Sequence, residues 1–464
     1  MVLTKKPLSK GIKTFYGFGD MWFGAMTMVE LFFFVFFLTN VAKFSLPMVA
    51  IIGSVTSIVD AVLSPFYGAV ISGTKPMKWG RNRSWMLVAP PFVVILFMLQ
   101  FTKIGPSEAI SAVIVSLGFI LSHIIWNIAW VGNVSLIPVM ANNPEERGFL
   151  SGRRMTWTAL AGVFFSYVGQ PLAMYIGRVS GNEILGYTLL AGIMAFLMML
   201  GYWLVFKLSE GYEPTAAEEA ELASTSEKPV TRVSVGDMVK TVTKNPPLIA
   251  LLVGDFFRFI GFFVIMASIT YYFTYVAQDM TKLAPYMLIS ALAGVLGAAI
   301  SSKIIQKLSA RNTTIVGLLG TGIILIIASF VAMNVTLFFI LVPLGMLCFN
   351  IVGAAIVALY ADVAIYGEWK TGENATPFVM GLMNLSLKLA VISRGIVIPL
   401  VLGAAGFSAK VAPDAVSEAV KQAVININML IPGITSIIGA VIILLTYKLT
   451  QSKVEEIQAE IDAR

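Results

Sequence analysis

Seven ionisable residues lie inside stretches of the chain that are otherwise apolar enough to cross a lipid bilayer. They are four acids and three bases: Asp20, Glu30, Asp60, Asp255, Arg258, Lys388 and Arg394. Each costs roughly 2.5–3.5 kcal/mol at the bilayer centre, so such residues persist where they pair with one another or line a polar cavity. Carboxylate and guanidinium groups in a cavity can bind hydroxyl groups, anions and cations. The pattern therefore favours a path for a polar solute and an ion over a passive membrane anchor.

The composition is that of a polytopic membrane protein. Of the 464 residues, 58% are hydrophobic and 12% are charged, whereas soluble domains carry about 25% charged residues. His123 is the only histidine and Cys348 the only cysteine. These counts argue against a histidine-built metal site, a Ser-His-Asp hydrolase and an internal disulfide. An integral membrane enzyme is disfavoured for the same reason.

About twelve segments have the length, roughly 20 residues, that an apolar helix needs to cross a bilayer. Their predicted limits are 14–40, 46–73, 84–103, 108–140, 153–177, 184–207, 248–276, 283–307, 313–333, 336–362, 377–404 and 424–448. The only long hydrophilic stretch lies near the middle of the chain. The sequence thus predicts a six-helix bundle at 1–208, a flexible cytoplasmic linker at 209–247, a second bundle at 248–450 and a tail at 451–464.

The lysines and arginines predict the orientation in the membrane, because cytoplasmic loops carry an excess of both. With the N-terminus inside, 23 of the 32 fall on the cytoplasmic side and six on the outer side. Both termini are therefore expected in the cytoplasm, in a cytoplasmic or inner membrane. This asymmetry accounts for the net charge of +7 without a nucleic-acid partner, and nothing in the sequence demands more than a monomer.

A weak internal repeat supports the division into halves. The pair Arg81-Asn82 follows the second predicted span, and Arg311-Asn312 follows the eighth, 230 residues later. Two six-helix halves of parallel topology are the architecture of the major facilitator fold, in which the solute binds near the midplane. We therefore expect an all-α membrane protein of this fold, with twelve transmembrane helices.

Several motifs resemble the glycoside–pentoside–hexuronide:cation symporter family. They are Tyr16-Gly-Phe-Gly-Asp20, Asp60-Ala-Val-Leu-Ser-Pro-Phe-Tyr-Gly68, Trp79-Gly-Arg-Asn-Arg-Ser-Trp85, Arg147 with Arg154, Tyr271-Tyr-Phe-Thr-Tyr-Val276, and Asp362-Val-Ala-Ile-Tyr-Gly-Glu-Trp-Lys-Thr-Gly372 with Lys388. The motifs cover nearly the whole chain in a consistent order. The resemblance implies a sugar, glycoside or uronide as substrate, a co-transported monovalent cation, and transport by alternating access.

The resemblance also implies which residues contact the substrate. Asp20 matches the carboxylate that accepts hydrogen bonds from sugar hydroxyls, and Lys388 matches a lysine that approaches the acids from the opposite half. In the fourth span the family's polar position falls on Asn127 or, counted from Pro138, on Trp130. We expect Asn127 to bind a hydroxyl and Trp130 to stack against the sugar. Arg154 is assigned both to the substrate and to the cytoplasmic gate.

Arg258 is a candidate from its spacing. It lies three residues after Asp255, so the two share one helix face. They either neutralise each other, which lets the helix insert, or contact the substrate. Arg258 with Arg394 could hold the carboxylate of a uronide, since guanidinium binds carboxylates in a bidentate manner. Glu30 could be a partner for either arginine, and His123 is expected to be a packed neutral side chain.

Asp60 is the expected cation-coupling residue. The family carries a second Asp four residues later, and a carboxylate pair at this spacing shares one helix face and suits a hard cation. This chain has Ser64 there, which removes one charge. The coupling ion is therefore a proton carried by Asp60, or sodium at a weakened site. Asp60 could also pair with Lys388.

The cytoplasmic gate is expected to consist of charged loop residues. These are Arg81, Arg83, Arg147, Asp362 and Glu368, together with Arg154. Nothing resembles a nucleotide-binding loop, so an ion gradient is the expected energy source, with no cofactor. The rival functions are a proton-driven exporter of amphipathic molecules and a non-transporting membrane sensor.

Overall fold

The structure is a computed structural model, and it describes residues 6–63, 71, 77–142, 144–215, 218, 242–372 and 376–462. The described residues are helical apart from connecting turns and an isolated bridge between Met77 and Gly80. The chain divides into two compact units, residues 1–228 and 229–464. Most of 216–241 lies outside the described residues, so the limits of the linker stay a prediction.

The described residues of the first unit form eight α-helices. They are α1 Lys10–Phe15, α2 Phe18–Phe36, α3 Leu46–Leu63, α4 Arg83–Val88, α5 Pro90–Gln100, α6 Glu108–Met140, α7 Pro144–Ser180 and α8 Glu183–Leu208. α2 continues into a π-helical turn, Phe37–Val41. The side chains of Ser107 and Asn182 cap α6 and α8 by accepting hydrogen bonds from backbone N–H groups in the first turns of these helices. N–H groups in a first turn have no carbonyl partner within the helix.

In the second unit, seven α-helices lie within the part of the chain that the structure describes. They are α9 Pro246–Tyr271, α10 Leu283–Phe330, α11 Val335–Thr371, α12 Thr376–Ala404, α13 Glu418–Ile425, α14 Ile431–Thr446 and α15 Gln451–Asp462. π-helical turns continue α9 at Tyr272–Val276 and join α13 to α14 at Asn426–Leu430. The last helix, α15, buries Val454 and Ile457 in the core around Tyr360 and Val363. The predicted tail is therefore a helix packed on its own unit.

Twelve membrane spans follow from these helices. Ten described helices are long and apolar enough to cross a membrane. α10 contains two of the twelve, because its 48 residues are interrupted at Ser309, whose φ of 70° and ψ of 160° are not helical. α4 and α5 together make another, since Ala89 between them has helical backbone angles. The prediction of an all-α membrane protein with twelve spans is confirmed.

The internal repeat corresponds to a hydrogen-bonding role that one arginine has in each unit. In the first unit this arginine is Arg83, two residues after the predicted Arg81. Arg83 donates hydrogen bonds to Phe206 O (2.8 Å) and Ser209 Oγ (3.1 Å), at the C-terminus of α8. Arg311 donates to Tyr447 O (2.8 Å) and Leu444 O (3.0 Å), at the C-terminus of α14. In each unit an arginine thus satisfies the terminal carbonyls of the last membrane span, where cations are favoured.

Glu213 differs from the expectation of a solvated linker. It is 7% exposed, and its carboxylate accepts hydrogen bonds from the backbone N–H groups of Asn82 (2.9 Å) and Arg83 (2.9 Å) and from Asn82 Nδ2 (2.7 Å). Gly80, at φ 108°, leaves the space that this carboxylate occupies. The start of the linker therefore caps α4, whose N-terminus favours an anion.

The Glu213→Ala variant is expected to lose roughly 1–3 kcal/mol of stability, because buried N–H groups lose their acceptor. A lower unfolding temperature of the purified protein would show this. Glu210→Ala is the control: the hydrogen bond and charge of Lys207 lower the pKa of Glu210, so an ionised but exposed carboxylate is removed. Equal unfolding temperatures for the two variants would contradict the capping role.

Candidate functional site

Asp20 lies at the centre of a buried polar cluster in the first unit. It is 3% exposed, in the first turn of α2. Arg154 of α7 binds it through two hydrogen bonds, from Nε to Oδ2 (2.7 Å) and from Nη2 to Oδ1 (2.5 Å). Asn133 of α6 donates to the same Oδ2 at 3.1 Å. Such a bidentate pair, joined to an amide, can exchange its contacts with the hydroxyl groups of a ligand.

The glycines of the Tyr16–Asp20 motif allow this close approach. A Cβ at Gly17 would lie 2.8 Å from both the carbonyl oxygen of Arg153 and the Cα of Arg154, and a Cβ at Gly19 would collide with the ring of Tyr202. Tyr16 adds a hydrogen bond from its hydroxyl to Asn133 O at 2.5 Å. The motif therefore places Asp20 against the helices that carry its two partners.

An aromatic group adjoins this cluster. The ring of Phe23, one turn after Asp20, lies 5.5 Å from Trp126 and 6.5 Å from Trp130, and stacks on the latter. The guanidinium of Arg154 lies 5.9 Å from the Trp130 ring centroid, and Trp130 is 37% exposed. An exposed indole beside a charged pair offers a sugar an apolar face and polar partners together.

Asn127 lies on the same helix, and its Nδ2 donates to the carbonyl of His123 at 2.8 Å. The amide also has a second N–H and an acceptor oxygen. Of the two alternatives from the sequence, Trp130 is therefore the one that contacts the Asp20–Arg154 cluster directly, through Arg154, while Asn127 is anchored on its own helix.

A second polar contact joins the same two helices. His123 Nε2 of α6 lies 3.1 Å from Glu30 Oε2 of α2, ten residues from the Asp20–Asn133 contact on each helix. Ten residues correspond to about 15 Å of helix, and the antiparallel run of α2 and α6 brings both pairs into register. Glu30 thus has a partner in its own unit that the sequence did not suggest, and its suggested contact with Arg258 or Arg394 stays a prediction.

Asp60 lies on α3 and is 6% exposed, as predicted for a buried carboxylate in the second span. Ser64, its predicted companion, lies outside the described residues. The role of both residues in cation coupling stays a prediction.

Asp255 and Arg258 form a buried ion pair in the second unit. Arg258 Nε donates to Asp255 Oδ1 at 2.6 Å, and the hydroxyl of Tyr360 on α11 lies 3.4 Å from Asp255 Oδ2. The guanidinium lies over Phe259 (4.0 Å) and Phe349 (4.8 Å). Asp255 and Arg258 therefore pair with each other within one helix, and a contact of Arg258 with the substrate stays a prediction.

The Asp255→Asn variant is expected to lose roughly 3–5 kcal/mol of stability, because it leaves the buried Arg258 charge unpaired. Adding Arg258→Gln should restore most of the unfolding temperature. Tyr360→Phe, which removes only a long hydrogen bond, should change it far less. A single Asp255→Asn variant that stays stable but loses transport would instead indicate a substrate contact.

Lys388 and Arg394 both lie on α12, Lys388 half-buried and Arg394 3% exposed. The Arg394 guanidinium lies 5.9 Å from the ring of Phe263 on α9. Ser386, two residues before Lys388, donates to the carbonyl of Leu252 at 2.8 Å and ties α12 to α9. The pairing of Lys388 with Asp60 concerns both units and stays a prediction.

The predicted gate residues have different surroundings. Arg147 is exposed, Asp362 and Glu368 are half-buried on α11, and Arg81 Nη1 donates to Ile71 O at 3.3 Å. Arg83 is 5% exposed and bound to the end of α8. Arg83 therefore has a structural role in its own unit. Its additional role in a gate stays a prediction.

Sequence reasoning did not find Asn133, Tyr16 and Glu213 as partners of the charged residues. Asn133 lies ten residues after His123, and Asp20 lies ten residues before Glu30. Once the Glu30–His123 contact is known, antiparallel packing of α2 on α6 therefore identifies Asn133 as a partner of Asp20. Glu213 had no comparable signal, because its partners are backbone groups. Among the residues that the structure describes, no group of three or more His, Cys, Asp or Glu side chains could hold a metal ion.

Comparison with known proteins places these features in a family. Residues 15–451 match the family model described as MFS/sugar transport protein. The chain is 28% identical over 386 residues to an isoprimeverose transporter of Lactiplantibacillus pentosus, covering 82% of this chain and 78% of the relative. It is 24% identical over 459 residues to a glucuronide carrier protein homolog of Escherichia coli (strain K12), covering 97% and 94%.

The fold is also found among solved structures. A crystal structure of a D-xylose–proton symporter matches with a TM-score of 0.65 at 15% identity, covering 96% of this chain and 97% of that one. At this identity the likeness concerns the fold alone, and it agrees with the major facilitator architecture predicted from the repeat. The family match over nearly the whole chain confirms the resemblance seen in the motifs. The chain is a multi-pass membrane transporter, not an enzyme, and belongs to the MFS/sugar transport protein family.

Proposed function

We propose that this protein is a cation-coupled symporter that carries a sugar, glycoside or uronide by alternating access. The observation that carries the proposal is the buried Asp20–Arg154 pair, joined to Asn133 and adjoining the exposed face of Trp130. A carboxylate accepts hydroxyl hydrogens, a guanidinium donates to hydroxyl oxygens, and an indole packs against the apolar face of a pyranose or furanose ring.

In this proposal the first unit supplies most of the sugar contacts. Asp20 and Arg154 exchange part of their mutual hydrogen bonds for sugar hydroxyls, Asn127 contributes its amide, and Trp130 is the stacking surface. Lys388 and Arg258 are the further candidates for substrate binding, and both belong to the second unit. Names of relatives, an isoprimeverose transporter and a glucuronide carrier homolog, support a glycoside or a uronide as the substrate class.

Asp60 is the proposed coupling carboxylate, and the coupling ion is a proton or sodium. Ion binding would change the charge of the buried Asp60 and so shift the equilibrium between conformations. The distribution of lysine and arginine supports a cytoplasmic location for both termini, and a monomer is sufficient for every role assigned above.

Transport by purified protein in liposomes tests the proposal. Labelled glycosides, pentoses and uronides would be offered in counterflow, which needs no ion gradient, and then under an imposed sodium or proton gradient. We expect counterflow of at least one sugar and its accumulation under one gradient. Absence of counterflow for every sugar would overturn the proposal, and binding without flux would indicate a sensor instead. Outward transport of amphipathic dyes under a proton gradient would favour an exporter.

A further inference from the structure

Tyr202 of α8 brings a buried hydroxyl group to the Asp20–Arg154 cluster. The side chain is fully buried, and within the part of the chain that the structure describes its hydroxyl has no hydrogen-bond partner. This hydroxyl lies within electrostatic range of Asp20, Arg154 and Tyr16. Burying a hydroxyl without a partner is unfavourable, so its position beside the cluster requires a physical reason.

Close packing of α2 and α8 determines where Tyr202 lies. A Cβ at Gly201 would lie 3.0 Å from the Cα of Gly19, so the two backbones are nearly in contact, and a Cβ at Gly19 would collide with the Tyr202 ring. The ring of Phe23 stacks on that of Tyr202 with 6.4 Å between centroids. The ring of a phenylalanine at position 202 would make the same contacts. Packing therefore accounts for the ring of Tyr202 but not for its hydroxyl.

A second polar atom without a hydrogen-bond partner belongs to the same cluster. Asn133 of α6 is fully buried, and its Nδ2 donates to Asp20 Oδ2 at 3.1 Å. An ionised carboxylate only accepts, so this contact assigns the amide nitrogen and leaves Oδ1 as a free acceptor. Among the described residues, Oδ1 has no hydrogen-bond partner. The cluster thus offers a hydroxyl on α8 and an acceptor oxygen on α6.

A sugar hydroxyl complements both groups, because it accepts one hydrogen bond and donates another. In the structure Asp20 accepts from Arg154 and Asn133, and Tyr202 takes no part in these bonds. A sugar hydroxyl that replaces one of the Arg154 bonds brings an oxygen that can accept from Tyr202. Its hydrogen can be donated to Asp20 or to Asn133 Oδ1.

We infer that Tyr202 is a further substrate-binding residue, whose hydroxyl donates a hydrogen bond to one hydroxyl oxygen of the transported sugar beside Asp20. The inference rests on the proposed function, since it adds a residue to the sugar site. Binding pairs a buried donor without breaking a bond that Tyr202 already makes, so the new bond contributes to affinity. It also gives selectivity, because a sugar without that hydroxyl leaves the buried donor unpaired.

The Tyr202→Phe variant tests the hydroxyl, because it keeps the ring. The probes are labelled methyl xyloside, methyl galactoside and methyl glucuronide, offered in counterflow to proteoliposomes. For a transported glycoside we expect the concentration at half-maximal counterflow to rise about fivefold to tenfold, the effect of losing one hydrogen bond. The unfolding temperature without sugar should stay equal or rise, because an unpaired buried group is removed. Unchanged sugar affinity would overturn the inference.

Tyr272→Phe is the matched control for a hydroxyl with a structural role. Tyr272 is fully buried in the second unit, and its hydroxyl donates to Ala332 O at 2.7 Å. This variant should have a lower unfolding temperature and an unchanged concentration at half-maximal counterflow. If Tyr202→Phe also lowers the unfolding temperature and leaves sugar affinity unchanged, the Tyr202 hydroxyl stabilises the fold and the inference is wrong.

Monodeoxy analogues of the transported glycoside distinguish a sugar hydroxyl from a bound water. We expect one analogue to bind the parent about fivefold to tenfold more weakly than the complete glycoside, and this difference to shrink in Tyr202→Phe, where the bond is absent for both ligands. If Tyr202→Phe weakens all the analogues and the complete glycoside by one common factor, the hydroxyl binds a water or Asp20, and the inference is overturned while the symporter stands. Absence of counterflow for every sugar offered to the parent would instead overturn the proposed function.

Discussion

Replacing Asp20 by Asn is expected to reduce the affinity for the transported sugar by about 100-fold, the effect of removing one partner from a buried, hydrogen-bonded charge pair. The substitution removes the carboxylate that accepts from Arg154 at 2.5 and 2.7 Å and from Asn133 at 3.1 Å. Arg154 is then left without its counter-charge, and the site loses its strongest acceptor for sugar hydroxyls. The measurement is the sugar concentration at half-maximal counterflow in proteoliposomes.

The effect on folding can be separated from the effect on binding. The double variant with Asp20→Asn and Arg154→Gln leaves no unpaired charge, so its unfolding temperature should approach that of the parent. Its sugar affinity should stay low, because neither ionic partner is present. Asp414→Asn, an exposed carboxylate of the second unit, is the matched control and should change neither property. Recovery of sugar affinity in the double variant would show that the pair stabilises the fold and does not bind the substrate.

Replacing Asp60 by Asn is expected to abolish accumulation of the sugar against its gradient and to leave counterflow intact. The amide cannot take up a proton and holds a cation far more weakly than a carboxylate, so the driving ion no longer affects the conformational equilibrium. Uptake at equal sugar concentrations with an imposed sodium or proton gradient measures this loss. Accumulation by Asp60→Asn at the parental level would remove Asp60 from the coupling site.

The ion specificity can be tested in the opposite direction at Ser64. Ser64→Asp restores the second carboxylate that the symporter family carries four residues after Asp60. Two carboxylates suit a hard cation better than one. We expect this variant to gain sodium-driven accumulation relative to the parent. An unchanged ratio of sodium-driven to proton-driven uptake would show that the departure at Ser64 does not determine the coupling ion.

Much of the fold could be predicted from the sequence because the bilayer restricts the possible structures. Backbone groups in hydrocarbon must be paired internally, so each long apolar stretch becomes a helix. For example, the predicted limits of the fourth span, 108–140, coincide with those of α6, Glu108–Met140. The third span was less regular than expected, since the prolines at 90 and 91 divide it into α4 and α5.

Within each unit, the sequence predicted only those pairs of polar residues that lie on one helix. Asp255 and Arg258 are three residues apart, and helical geometry alone brings them together. Asp20 and Arg154 were each selected, but their direct contact spans 134 positions of sequence. The contact of Glu30 with His123 of α6, at 3.1 Å, was not predicted, because residue types along the chain do not show which helix lies opposite.

The amino-acid sequence by itself determined the membrane class, the number of spans, the two-unit division and the buried charges that need partners. Hydrophobic length and the cost of burying charge act locally, so no neighbouring helix is needed to infer them. The tertiary structure decided which charges meet. The antiparallel register of α2 and α6, the approach of α7 permitted by Gly17, and the capping of α4 by Glu213 depend on packing between helices distant in sequence. Side-chain contacts of this kind arise from the geometry of neighbouring helices, which residue types and spacing along one helix do not specify.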